Sequence, residues 1–164
     1  PHVMGGSASF LSTHNDLRFR RDGLASLEDG LPEAAIAQFQ HAARHADKPS
    51  QAMLAELYWK GEVVPVDRPR AYAWMDLAAE RGYRQFLALR EHYWAGLAEA
   101  ERQQAIEVGR ALYAEYGDPV AIPRMERQLR DARRDITGSR VGFVSGPMKV
   151  IIRGENGGFA HENG

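Results

Sequence analysis

The chain contains no cysteine, which excludes disulfide bonds and thiolate chemistry. It also lacks an excess of charge, because 21 basic residues are balanced by 22 acidic ones and the formal net charge is −1. Such a balance provides no general attraction to nucleic acid or to an anionic membrane. No apolar run approaches the length that crosses a bilayer, so no membrane span is predicted.

Motifs that carry chemistry are absent as well. The sequence has no G-x-S-x-G nucleophile elbow, and no glycine-rich phosphate loop precedes a predicted helix. His41 and His45 have a spacing that suits one metal ion, but no third ligand is evident and the segment HAARH lacks the glutamate of a metalloprotease. We therefore interpret them as exposed histidines, and predict no catalytic residue, no metal and no cofactor. The chain is predicted not to be an enzyme, and an enzyme subunit or a small-molecule binder is kept as the third hypothesis for its function.

The core of the sequence is the stretch of residues 51–83, which reads as two short helices around a loop. Met53, Leu54 and Leu57 follow the periodicity of a buried helical face. Gly61 is a helix stop, and Asp67 is a candidate cap for a second helix that ends at Gly82. In that second helix, alanines dominate the apolar face, so a neighbouring helix can approach closely.

Parts of this stretch recur on both sides. Ala35, Ala42 and Ala43 reappear 36 residues later as the alanines at positions 71, 78 and 79. Tyr58 and Trp59 reappear 35 residues later as a second Tyr-Trp pair at positions 93 and 94. A period in the mid-thirties indicates a solenoid whose unit is a pair of helices.

The same residues resemble a Sel-one-like repeat (SLR), a relative of the tetratricopeptide repeat with the pattern A-x-x-x-L-G-x-x-Y-x-x-G-x-x-V followed by D-x-x-x-A-x-x-W-x-x-x-A-A-x-x-G. The residues that carry the match are Ala52, Leu54, Leu57, Tyr58, Gly61, Val63, Asp67, Ala71, Trp74, Ala78, Ala79 and Gly82, of which Ala52, Leu57 and Val63 do not fall in the register of the pattern as written. Ala55 departs from the family's glycine, which implies slightly wider helix packing. The resemblance covers about half of the chain.

This resemblance implies an all-α, right-handed α-α superhelix that binds a protein or peptide partner and has no catalytic residues of its own. We expect the solenoid over residues 16–96 and C-terminal capping helices over residues 97–136. Residues 137–164 are expected to form a glycine-rich tail with two β-prone runs, at 141–144 and 149–152. Residues 1–15 are interpreted as a flexible N-terminus, as a remnant of cloning, or as the start of a mature exported protein.

Two tryptophans suggest where a partner binds. Trp59 and Trp94 each follow a core tyrosine and turn about 100° away from it on a helix. Glu56 and Glu91 lie three residues before them, so successive first helices would present matching Glu/Trp pairs on the concave face, with Lys60 beside the first pair. The alternative is that both tryptophans fill gaps between repeats.

Four arginines accompany the apolar stripe of the last predicted helix. They are Arg127, Arg130, Arg133 and Arg134. Acidic residues alternate with them at positions 126, 131 and 135, and mixed charge of this kind is typical of a solvent-exposed face rather than of a nucleic-acid site. A second hypothesis for the whole chain is structural: the β-prone tail would pair with a neighbouring copy and form a homo-oligomer.

Overall fold

The computed structural model describes residues 15–144, and side chains from residue 16 to residue 135. These residues form seven α-helices and one short 3₁₀ helix. The helices are α1 (Asn15–Glu28), α2 (Pro32–Arg44), α3 (Lys48–Lys60), α4 (Arg68–Ala78), the 3₁₀ helix (Ala79–Arg81), α5 (Arg84–Gly96), α6 (Glu99–Tyr116) and α7 (Asp118–Val144). The predicted all-α solenoid is confirmed.

The ends of the helices follow from local chemistry. Gly61 and Gly82 both adopt the left-handed conformation, with φ of 67° and 80°, and each ends a helical segment as predicted. At the other ends, the carboxylate of Asp47 accepts from the backbone N–H of Ser50, which caps α3. The carboxylate of Asp67 accepts from the N–H of Arg70 and caps α4 in the same way.

Helix α4 lies at the centre of the structure. It packs against α3, α5 and α6, and both Trp74 and Met75 on this helix are buried. Its neighbours approach closely because the α4 positions that face them carry small side chains: Ala71, Ala73 and Ala78 are all 2% exposed or less. Two of the alanines singled out in the sequence, Ala71 and Ala78, are therefore buried on the helix that packs against all three neighbours.

A buried cation links three distant parts of the chain. The ammonium group of Lys48, which is 1% exposed, donates to the Leu77 carbonyl at 3.0 Å and to the Glu80 carboxylate at 2.8 Å. It also lies 3.2 Å from a carboxylate oxygen of Asp118 at the start of α7. The N-terminus of α3 is thereby tied to the end of α4 and to the turn between α6 and α7.

Asp118 is held in the same network. The guanidinium of Arg81 donates to its two carboxylate oxygens at 2.8 and 3.0 Å. Burial by itself raises the pKa of Asp118, but the hydrogen bond from Arg81 and the charge of Lys48 lower it, and the net result is a pKa below the ordinary value. The Asp118 carboxylate therefore stabilises the fold at pH values above its pKa in the unfolded chain. This stabilisation is lost as the pH falls through its pKa in the folded chain.

The third helix pair differs from the first two. Helices α1 and α2 pack along each other, as do α3 and α4, whereas α5 and α6 make few mutual contacts and both pack on α4. Only Leu97 and Ala98 connect them. Helix α6 thus occupies the place beside α4 where the second helix of a third unit would lie. The expectation that residues 97–136 cap the solenoid stays a prediction.

The last helix is longer than predicted. We expected it to end at Ile136, but α7 continues to Val144. Residues 137–144 are therefore helical, and the predicted β-prone run at 141–144 is part of this helix. Gly138 and Gly142 do not stop the helix because an interior glycine costs only about 1 kcal/mol relative to alanine. The second β-prone run, at 149–152, lies outside the described residues.

Replacing Lys48 tests the buried network. Lys48→Met keeps the aliphatic stem but leaves the carboxylates of Glu80 and Asp118 without their shared cation, so we expect it to lower the free energy of unfolding by about 3 kcal/mol. Urea unfolding followed by circular dichroism measures this loss. Lys60→Met, at the exposed end of the same helix, is the matched control and should leave the midpoint nearly unchanged. Equal midpoints for the two variants would show that the network does not hold the fold.

Candidate partner-binding surface

The five residues predicted to contact a partner lie on the last two turns of two helices. Glu56, Trp59 and Lys60 belong to α3, and Glu91 and Trp94 belong to α5. Both helices are first helices of their pairs, as the sequence predicted. The aromatic residues make their contacts inside the fold, whereas the charged residues remain accessible to solvent.

Trp59 bridges α3 and α5. Its ring stacks on that of Tyr93, with centroids 4.2 Å apart and planes inclined by 6°. The guanidinium carbon of Arg68 lies 4.8 Å from the centroid of the Trp59 ring. Gly96 makes room for the indole, since a Cβ there would stand 2.9 Å from Cη2 of Trp59. Contacts within the fold therefore cover much of the surface of this indole.

Trp94 contacts two other helices. Its ring lies 4.9 Å from that of Tyr72 on α4, and the guanidinium carbon of Arg102 on α6 lies 5.0 Å from its centroid. Arg102 also donates to the carbonyl of Trp94 at 3.1 and 3.3 Å. Both tryptophans are half-buried and fill gaps between helix pairs, which is the second of the two alternatives raised by the sequence. A role for their exposed edges in binding stays a prediction.

The charged residues have different partners in the two helices. Glu56 and Lys60 form an ion pair at 2.8 Å one turn apart on α3, with side chains 44% and 54% exposed. Glu91 pairs instead with its neighbour Arg90, at 2.9 Å, and its side chain is 67% exposed. The two Glu/Trp pairs are thus similar in sequence but not in environment.

A small cleft lies beside the first ion pair. It has a volume of about 170 Å³, and Glu56 and Lys60 line it together with Met53, Leu57 and Val63. Val63 is 42% exposed and lies in the loop after α3. We did not assign Met53 or Val63 to a site from the sequence, because both follow the pattern of residues that support the repeat.

Tyr93 connects this surface to the core. Its side chain is buried under Trp59, and burial, together with the nearby Glu56 carboxylate, raises the pKa of the Tyr93 phenol to about 12. Desolvation disfavours the phenolate, and a neighbouring negative charge acts in the same direction. The folded state therefore favours the neutral phenol.

The remaining polar patterns in the sequence do not converge on a site in the described residues. His41 and His45 lie with ring centroids 5.2 Å apart, and no group of three or more potential metal ligands occurs in the part of the chain whose side chains are described. Arg134 forms an ion pair with Asp131 on α7. Among residues 15–144, no helix combines the length and the apolar character that crossing a bilayer requires.

These features define the chain as an α-helical repeat protein, and one comparison specifies the repeat. A crystal structure of a protective antigen present in uropathogenic Escherichia coli strains, which displays an SLR fold, matches with a TM-score of 0.57 and 25% sequence identity. The match covers 68% of this chain and 25% of that one, so it spans about a quarter of the antigen's length. No family model and no curated protein matches. The chain has the SLR fold, as the sequence predicted.

The raised pKa of Tyr93 predicts how stability depends on pH. The neutral phenol contributes to the free energy of unfolding in full below its ordinary pKa of 10. This contribution is lost as the pH rises towards 12. We expect Tyr93→Phe to lose less unfolding free energy than the parent chain between about pH 9 and about pH 11.5. Guanidinium unfolding at a series of pH values measures the difference. Parallel profiles for the two proteins would contradict the assignment.

Proposed function

We propose that this chain is a non-catalytic scaffold that holds a segment of a protein partner on the surface formed by α3 and α5. The surface comprises Glu56, Trp59, Lys60, Glu91 and Trp94, together with the cleft beside Val63. The SLR fold supports the general role, since solenoids use extended surfaces along successive repeats to bind other proteins. The placement on α3 and α5 rests on the properties of the surface itself.

The observation that carries the proposal is the cleft between α3 and the loop that follows it. Its apolar part is formed by Met53, Leu57 and Val63, and Glu56 and Lys60 lie at its edge with more than two fifths of each side chain exposed. A volume of about 170 Å³ is smaller than that of a typical small-molecule pocket, which starts at about 300 Å³. It suits a single aliphatic side chain of a peptide, with the ion pair available for hydrogen bonds to the peptide backbone.

The tryptophans support this surface more than they form it. Because Trp59 lies against Tyr93 and Gly96, its indole holds α5 at a constant distance from α3. Trp94 has the same function between α5 and α4 through its contact with Tyr72. A partner segment would therefore meet a rigid surface, which reduces the entropy lost on binding.

The test must avoid the tryptophans, since truncating a large aromatic residue that packs between helices to alanine costs about 3 kcal/mol and perturbs the fold. The variant Glu56→Gln, Lys60→Gln, Val63→Gln changes only exposed or half-exposed side chains. Proteins captured by the parent chain from a lysate of its native source would be identified by mass spectrometry, purified, and titrated against both proteins. We expect the affinity of a direct partner to fall at least about ten-fold for the variant.

The control is the variant Arg21→Gln, Asp22→Asn, Leu24→Gln, which makes the same kinds of change on α1 and should bind like the parent chain. Equal loss in both variants, or none in either, would place the binding surface elsewhere. If the chain captured only itself, and the assembly disappeared when residues 137–164 were deleted, the self-associating alternative would replace this proposal.

A further inference from the structure

A second cleft lies where the third helix pair is open. Because α5 and α6 diverge while both pack on α4, a space of about 350 Å³ remains between them. Ala73 and Leu77 on α4 and Gly109 on α6 form its floor, and Leu87 on α5 and Tyr113 on α6 form its walls. This cleft is twice as large as the one beside Val63.

Small residues at the floor keep the cleft open. Gly109 faces α4, and a Cβ added to it would meet only the Cβ of Ala73, at the ordinary contact distance of 3.9 Å. The glycine is therefore not required for helix packing at this point, since an alanine would fit. Its effect is to leave depth in the cleft that a larger side chain would occupy.

The charges at the edge of the cleft are unbalanced. Arg90 donates two hydrogen bonds to Glu91, at 2.9 and 3.0 Å, but reaches Asp76 only at 3.4 Å. One cation thus serves two carboxylates, and the group carries a net charge of −1. Burial raises the pKa of Asp76, and the negative charges of Glu80 and Glu91 add to this effect, which Arg90 opposes without cancelling it.

The walls of the cleft suit a side chain with an apolar stem and a positive end. Leu87 provides an aliphatic contact, and Tyr113, which is 50% exposed, provides an aromatic ring. A carboxylate beside an aromatic ring is an arrangement that attracts cations, because the face of the ring is also negative. The side chain of Asp76 is 52% exposed, so an incoming cation can reach it.

We propose that the cleft between α5 and α6 receives a lysine or arginine side chain of the partner segment, with Asp76 as its counter-ion and Tyr113 and Leu87 against its stem. The inference rests on the proposed scaffold function, and it specifies the chemistry of the partner. Arg90 also lines the cleft, but its two shorter hydrogen bonds go to Glu91, which leaves the exposed carboxylate of Asp76 accessible to an incoming cation.

Nuclear magnetic resonance tests the cleft directly with a defined probe. The ¹⁵N-labelled chain is titrated with acetyl-Leu-Arg-Leu-amide and with the same peptide carrying citrulline, which keeps the shape of arginine and removes its charge. The backbone amides of Gly82 and Gly109, which both line the cleft, report on occupancy, and the amide of Gly30, in the turn between α1 and α2, is the distant reference. We expect saturable shifts at the first two glycines and about ten-fold weaker binding of the citrulline peptide.

Two variants complete the experiment. Asp76→Asn should weaken binding of the arginine peptide about ten-fold while leaving the spectrum otherwise folded. Asp29→Asn makes the same change at an exposed position in the turn between α1 and α2, and should have no effect. Equal binding of the two peptides, or shifts that do not include Gly82 and Gly109, would overturn the inference.

The outcome can be separated from that of the scaffold test. The variant used there alters Glu56, Lys60 and Val63, none of which lines this cleft. If that variant keeps its partner while Asp76→Asn loses the arginine peptide, the surface beside Val63 is wrong and the cleft is right. If instead that variant loses its partner while Asp76→Asn still binds the arginine peptide like the parent chain, the scaffold proposal stands. The partner then binds without a basic side chain at this position.

Discussion

The structure depends above all on a buried lysine. Lys48 is almost completely removed from water, and its ammonium group is surrounded by acceptors that come from the end of α4 and from the start of α7. A buried cation is tolerated only when its partners are in place, because an unpaired charge in a low-dielectric interior is strongly destabilising. This requirement sets the position of the turn between α6 and α7 relative to the second helix pair. Helix α6 leads directly into this turn, so its position on α4, and the open third pair that results, are consistent with the contacts of Lys48.

The aromatic residues show how a pattern can have two meanings. A tryptophan that repeats at the period of a solenoid is compatible with a binding residue and with a residue that fills the gap between units. In three dimensions the rings of Trp59 and Trp94 lie against Tyr93 and Tyr72, so packing accounts for their recurrence. The exposed part of the surface belongs to charged residues and to the loop after α3. The surface that we propose for binding therefore presents charged groups and short apolar clefts more than aromatic faces.

The two clefts proposed for binding differ in their chemistry. The one beside Val63 is small and apolar, with an ion pair at its edge, whereas the one between α5 and α6 is larger and has a negative edge near Asp76. Helix α5 lines the second cleft through Leu87 and Arg90, and it carries Glu91, which competes with Asp76 for Arg90. The charge state of the second cleft is thus linked to the surface proposed for binding. Helix α5 thus carries residues of the proposed surface, Glu91 and Trp94, as well as residues that line the second cleft.

Local patterns were sufficient to predict most of the helices and their ends. Glycines at positions 61 and 82 adopt the left-handed conformation, and the carboxylate of Asp67 caps the helix that follows it, as predicted, since these features depend on a few neighbouring residues. The apolar periodicity and the mid-thirties repeat predicted the all-α solenoid for the same reason. Even so, the end of α7 was placed too early, because glycine weakens a helix without always stopping it.

The contacts that give the molecule its sites could not be read from the sequence. The partners of Lys48 are 29, 32 and 70 positions away, and nothing in the local pattern marks a lysine next to a proline as buried. The direction in which each tryptophan faces, and the gap between α5 and α6, depend on how helices that are distant in sequence meet on α4. The sequence by itself determined the helices and the kind of repeat, because those follow from neighbouring residues. The buried charges and the clefts were decided by the tertiary structure, because they arise only where separate helices come together.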